Sequence, residues 1–239
     1  MIALLLSLQV FGSPSVDEII EKSQQSIHLP KHKTELILTV QKKRRTKEYQ
    51  LSVYQDKSSG VGSAEFHSPT RDRGTKFLRK KEALWMYLPS IEKTKRIAGH
   101  MLNKGIMGSD LSYEELLLQQ DWAKEYEAEQ NQDTIEQGLA CFHVTLYARK
   151  DSMFDAKRIL WIEKEHFVPI KEQVYDSSGQ LFKEWIRKDL RLVDSQWIPF
   201  IQEIQNKRLS ANKTTITIQT IKIAPDLSKD FFSHRWLER

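Results

Sequence analysis

The chain has 239 residues, 39% of them hydrophobic and 29% charged, which suits one large domain or two small ones with a water-facing surface. Its formal net charge of +5 is compatible with nucleic acid or with an anionic membrane surface. A single cysteine, Cys141, excludes an intramolecular disulfide and sits in the alternating run Ala140 to Val144, where it reads as a small packed residue.

Met1 to Phe11 is uncharged and mostly apolar, and Gly12-Ser13-Pro14-Ser15 follows. An apolar run of about ten residues is too short to cross roughly 30 Å of hydrocarbon as a helix. It has the length of a secretory h-region, so residues 1–15 are expected to be a signal peptide and 16–239 a single domain. No basic residue precedes the run, and no cysteine lies near it to accept a lipid anchor. Export without an anchor is the expectation.

Ser15 with Glu18 forms a capping-box pattern, and Val16, Ile19, Ile20, Ser23 and Ile27 recur at helical spacing, predicting a helix over 17–26 that Pro30 ends. The period then changes to two. Leu36, Leu38 and Val40, then Tyr49, Leu51 and Val53, alternate on either side of Lys42-Lys43-Arg44-Arg45, which predicts a hairpin with a solvated basic tip. Gly62, Ala64 and Phe66 share one face of the next strand, and Leu84, Met86 and Leu88 lie opposite Trp85 and Tyr87. Ser112 with Glu115 marks a second helix start, over 113–120, and Asp110 is expected to stabilise its N-terminus. Residues 121–133 read as strand. Further strands are predicted over 140–147, 158–163, 168–175, 181–190, 197–205 and 214–223. About ten strands at this spacing predict an antiparallel sandwich, an open barrel or a closed barrel.

Catalytic signatures are missing. The chain has no Gly-x-Ser-x-Gly elbow, no Walker loop and no dinucleotide fingerprint. Pro30 breaks the helix that would align His28 with His32, so no metal site is expected, and His143 reads as a surface or hydrogen-bonded residue. No enzyme activity and no cofactor are expected. The basic run 42–45 lacks interleaved aromatics, which argues against nucleic acid as a partner. Leu84 to Leu88 and Phe182 to Ile186 carry bulky groups on both faces, as either a lipid pocket or a two-sided protein core would require.

One stretch is more specific. Arg73-Gly74, then Leu84-Trp85-Met86-Tyr87-Leu88-Pro89, the basic run Lys93 to Arg96, and Met107-Gly108-Ser109-Asp110-Leu111-Ser112-Tyr113-Glu114-Glu115-Leu116 occur in an order that resembles the LolA-like outer-membrane lipoprotein-sorting family. Looser similarity continues through Gln137 to Cys141 and Asp176 to Leu181. The resemblance implies a mainly β fold with a few helices: an incomplete antiparallel β-barrel around a hydrophobic cavity covered by helices. It implies a periplasmic carrier that binds acyl chains of lipoproteins or other lipids and passes them toward the outer membrane. An inner-membrane transporter and an outer-membrane acceptor would be its partners, with transient contact at a membrane surface. The other reading is an accessory or sensor subunit of an envelope lipid transporter. On this model Leu38, Val40, Leu51, Val53, Phe66, Leu84, Trp85, Met86, Tyr87, Val144 and Leu146 are the expected cavity lining. Arg73, Arg96 and Asp110 are the expected rim and lid positions.

Overall fold

The structure, a computed structural model, describes residues 13–27, 29–113, 115, 121–150, 155–209, 212–226 and 229–239. The expected signal peptide up to residue 12, and most of the helix expected over 113–120, lie outside these residues. Helix α1 (Val16–Ser26) begins where the capping pattern puts it. The Ser15 hydroxyl accepts the Glu18 N–H at 3.2 Å, and Ile19, Ile20 and Ser23 are buried.

Two antiparallel meanders follow. The first comprises β1 (His32–Lys42), β2 (Arg45–Asp56), β3 (Val61–Ser68), β4 (Lys76–Lys80), β5 (Ala83–Leu88) and β6 (Lys93–Ile97). The second comprises β7 (Tyr126–Gln130), β8 (Thr134–Glu136), β9 (Leu139–Ala148), β10 (Asp155–Glu163), β11 (Pro169–Asp176), β12 (Leu181–Val193), β13 (Gln196–Asn206) and β14 (Lys213–Ile223). They join along one seam, where β1 pairs with β14 from His32↔Ile223 to Gln41↔Lys213. The result is a single 14-stranded sheet in which β8 pairs only with β9. Among the described residues its outermost strands, β6 and β7, do not pair with each other.

Three of the fourteen strands, β4, β6 and β8, lie outside the expected ones. β4 and β6 are five residues each and carry Lys-Phe-Leu-Arg-Lys and Lys-Thr-Lys-Arg-Ile, whose charge hides the alternation. β8 has three residues, too few for a period. Within 121–133, expected as strand, α2 (Trp122–Glu125), one turn capped by Asp121, runs straight into β7.

The sheet curls. The Tyr113 hydroxyl approaches Met86 Sδ on β5 at 3.9 Å, while Glu115, two residues on, holds Lys183 on β12 at 2.8 Å. In the order of the sheet these strands are seven steps apart, about 33 Å if flat at roughly 4.7–4.9 Å per step. Only a strongly curved sheet brings both within reach of one short segment. The inward face is filled from two sides. Residues 102–113 lay Ile106 and Leu111 against Leu38, Tyr49, Leu51 and Phe66. On the other side α1 lays Ile19 and Ile20 against Phe142, Val144, Leu146 and Leu160.

The outward face of the first meander is covered by the end of the chain. Phe231 packs on Tyr54 with ring centroids 4.9 Å apart. In α3 (His234–Leu237), His234 meets Trp85 at 4.6 Å, and the Trp236 carbonyl accepts from Lys76 Nζ at 3.2 Å.

Candidate functional site: a cavity over the strand seam

Between the two fillings the inward face is left open, and a cavity of about 270 Å³ lies over the seam of the meanders. Its apolar wall includes Ile27 and Leu29 after α1, Trp122 on α2, Trp185 on β12, Ile198 on β13 and Ile218 on β14. Its polar wall includes His32 on β1, Arg158 on β10, Glu172 on β11, Arg187 on β12 and Gln202 on β13, with Glu115 from the covering segment. The cavity is somewhat smaller than common small-molecule pockets of roughly 300–1,000 Å³. Its lining is amphipathic.

The polar wall is a buried ionic network. Glu172, 1% exposed, accepts from Arg158 Nη1 and, at 2.9 Å, from Arg187 Nη2. Arg187 Nη1 donates to the Pro169 carbonyl at 3.1 Å. Arg158 also donates to Asp155 and, through Nε, to the Tyr126 hydroxyl at 3.0 Å; that hydroxyl donates to Asp155 Oδ2 at 2.8 Å. Two guanidiniums thus face two carboxylates, and the formal charge cancels. Burial opposes ionisation of Glu172, but Arg158 and Arg187 outweigh it and hold its carboxyl below the usual range. Burial likewise disfavours the Arg158 charge, yet Glu172 and Asp155 leave it held more firmly than an ordinary arginine. Burial pushes the Tyr126 hydroxyl well up, so it stays a neutral donor. His32 is lowered by burial and makes a 2.8 Å contact between Nδ1 and the Pro30 carbonyl.

Residues 98–113 lie on the first-meander side of the cavity, and Glu115 reaches its wall. They are fastened to the second meander at two points. Thr214 on β14 accepts the Asp110 N–H at 2.8 Å and donates back to Asp110 Oδ2 at 3.0 Å. Glu115 binds Lys183 on β12 while accepting the Ser112 N–H at 2.8 Å, and its own N–H is capped by Ser112 Oγ at 3.1 Å. The reciprocal cap is therefore Ser112 with Glu115, as the spacing predicts. Asp110 does not cap the helix; it is a tether to β14.

None of the eleven residues expected to line a cavity lines this one. Leu38, Val40, Leu51, Val53, Phe66 and Leu84 point inward as the alternation predicts, but they are closed off in the packed cluster beneath residues 102–113. Val144 and Leu146 are sealed under α1. Met86 packs against the first cluster, Tyr87 is half-buried, and Trp85 faces α3 on the outer side. Arg73 lies in the β3–β4 connection with Nε donating to the His67 carbonyl at 3.0 Å; Arg96 is exposed on the edge strand β6. The ionic network was missed, although its signal is present. Arg158 alternates in phase with Leu160 and Ile162, and Arg187 with Trp185, so both charges occupy inward positions of otherwise apolar strands.

Among the described residues one group, Glu163, Glu165 and His166, gathers three metal-type ligand atoms within 4.8 Å. Glu163 there accepts the N–H groups of Glu165 and His166, which gives it a turn-shaping role beyond β10 and away from the cavity.

Three comparisons bear on this architecture. A family model described as that of an uncharacterized protein matches residues 62–239. No curated protein matches the chain. Among solved structures, a domain from Vibrio parahaemolyticus provisionally described as outer membrane lipoprotein-sorting has a TM-score of 0.84 at 20% identity, covering 93% of this chain and 98% of that one. A DUF1329 family protein from Desulfovibrio piger has a TM-score of 0.83 at 19% identity, covering 92% and 97%. A LolA superfamily protein from Nitrosomonas europaea has a TM-score of 0.78 at 17% identity, covering 94% and 100%. The chain shares the fold of these proteins: a large antiparallel sheet with few helices.

Proposed function

Since this chain belongs to the family whose model spans residues 62–239, described as that of an uncharacterized protein, we propose that it is a non-catalytic, periplasmic carrier. In this reading it binds acyl chains of lipoproteins or other lipids and passes them toward the outer membrane. The single observation that carries this is the amphipathic cavity of about 270 Å³ over the strand seam, in a fold like that of the Vibrio parahaemolyticus domain whose description names lipoprotein sorting.

The physics requires no covalent step. Each methylene moved from water into an apolar site gains about 0.8 kcal/mol, so a tail of even modest length repays considerable opening of the protein. At about 270 Å³ the cavity is smaller than common small-molecule pockets of roughly 300–1,000 Å³ and too small for a full-length acyl chain. Uptake therefore needs residues 98–115 to withdraw Ile106 and Leu111 from the packed cluster, which means releasing the Asp110–Thr214 and Glu115–Lys183 tethers. The bound tail would then occupy the space that those side chains fill in the closed form, with a polar end near Arg187 and His32. Donor and acceptor sites compete for cargo by offering the tail an equally dry place.

The packed state of that cluster favours a second reading, an accessory or sensor subunit of a lipid transporter whose interior stays shut. Mass spectrometry of organic extracts from the natively purified protein, together with titration by a fluorescent fatty acid, separates the two. Stoichiometric lipid or saturable probe binding is expected of the carrier. A ligand-free protein that takes up no probe would refute it.

A further inference from the structure

The strand connections at the two ends of the sheet differ sharply in charge. At the end where β1 turns into β2, the described residues of the connections are 43–44, 69–75, 89–92, 149–150, 177–180, 207–209 and 212. These residues include eight lysines and arginines against Asp72 and Glu92, a surplus of six where the whole chain carries +5. Lys42 and Arg45, at the strand ends, add to it. At the opposite end, Lys31, Lys57, Lys81 and Lys164 are balanced by Glu82, Asp133, Glu165 and Asp194. The net positive charge of the molecule is thus concentrated on one rim of the curled sheet.

The rim's bases are presented to solvent. Lys42 to Arg45, Arg71, Arg73, Arg149 and Lys150 are all exposed. Arg208 is exposed as well and shares its charge with Asp176. Two aliphatics stand among them, Ile91 at 48% exposure and Leu209 at 58%. A stable protein partner would call for about 800 Å² of contiguous, closely complementary surface per side, with a desolvated core depleted of charge and of lysine. This rim offers scattered long side chains from several unrelated connections and isolated aliphatics. That pattern suits a planar, laterally mobile sheet of negative charge, to which each base adds attraction without needing a register.

We propose that this rim is a docking surface for an anionic phospholipid bilayer. The inference goes beyond the cargo reading and stands whatever the cavity holds. The test is co-sedimentation of the full chain with vesicles of phosphatidylcholine containing a minority of phosphatidylglycerol, against pure phosphatidylcholine vesicles. Binding is expected only to the anionic vesicles, with release as salt approaches about 1 M, where the screening length is about 3 Å. The rim variant Lys42→Gln, Lys43→Gln, Arg44→Gln, Arg45→Gln should lose about fivefold in affinity per engaged charge, several hundredfold if all four touch the surface. The variant Lys31→Gln, Lys57→Gln, Lys81→Gln, Lys164→Gln changes net charge equally at the opposite rim and should bind nearly as the parent does. Thermal melts confirm that both variants fold. Equal losses in the two variants, unchanged binding in the rim variant, or capture by polyglutamate without capture by anionic vesicles would each overturn the proposal.

Discussion

Replacing Glu172 by Gln should destabilise the fold far more than a one-atom change suggests. The residue is 1% exposed, and its oxygens accept from Arg158 and Arg187, both buried. Glutamine keeps the shape but removes the charge that compensates two guanidiniums, leaving Arg187 with no carboxylate partner and Arg158 with Asp155 alone. Breaking a buried ionic arrangement on one side costs about 3–5 kcal/mol. For a domain of this size, each kcal/mol lowers the melting temperature by about 2–4 °C, so a drop of about 6–20 °C is expected. Urea unfolding followed by tryptophan fluorescence gives the free energy directly. The triple replacement Arg158→Met, Glu172→Leu, Arg187→Met removes the three most buried charges together, leaving Asp155, whose side chain is 17% exposed, with the Tyr126 hydroxyl, and should cost less than Glu172→Gln alone. The pH dependence carries the same sign. The folded Glu172 carboxyl lies below its unfolded value, so its contribution is complete above about pH 4.3 and disappears as pH falls through the folded value. Asp155, also held low, behaves likewise. Glu172→Gln should therefore flatten the acid limb of the stability curve. A single-mutant loss under about 1 kcal/mol, with a larger loss for the triple, would show that the network is solvated and the reasoning mistaken.

Asp110→Ala combined with Thr214→Val should remove a tether worth about 1–2 kcal/mol; amide exchange over residues 98–115 should quicken while α1 is unaffected, and uniform exchange would count against a separately opening cover. Trp185→Ala, at the boundary between the cavity and the packed cluster, should cost about 3–5 kcal/mol and let longer fatty-acid probes bind; an unchanged chain-length preference would place the tail elsewhere. Burial pushes the Cys141 thiol up to about 11, so a thiol reagent at pH 8 should label it only after denaturation; prompt labelling of the folded protein would contradict its packing.

Much of the sheet could be read from alternation, because a strand with one face on a core needs period two whatever it packs against. That logic put Leu38, Val40, Leu51, Val53, Phe66, Val144 and Leu146 on the inward face. It could not say what lies opposite them. Whether an inward leucine meets a void or Ile106 depends on where a segment some sixty residues away folds back, and no local pattern encodes that. The short basic strands β4 and β6 escaped for a related reason: on the edge strand β6 the lysines that discourage further pairing erase the apolar rhythm, and on the interior strand β4 the basic Lys76 and Arg79 are themselves buried. The polar wall was hidden by habit. Charges in strands usually face water, and only their phase relative to Leu160 and Trp185 reveals that Arg158 and Arg187 do not. Asp110 misled because its place before a helix suggests a cap, whereas its partner, Thr214, comes from a strand 104 residues later.

The seam between β1 and β14 has a temporal side. Each meander grows by pairing neighbours in sequence, so either half can zip up from short loops. Joining them needs His32 to meet Ile223, far along the chain, a long-range loop closure. A chain emerging N-terminus first into a new compartment would present the bare edge of β1 for as long as the remainder takes to arrive. Until β14 docks, that edge stays open to other strands, and closing the sheet waits until residue 223 has been made.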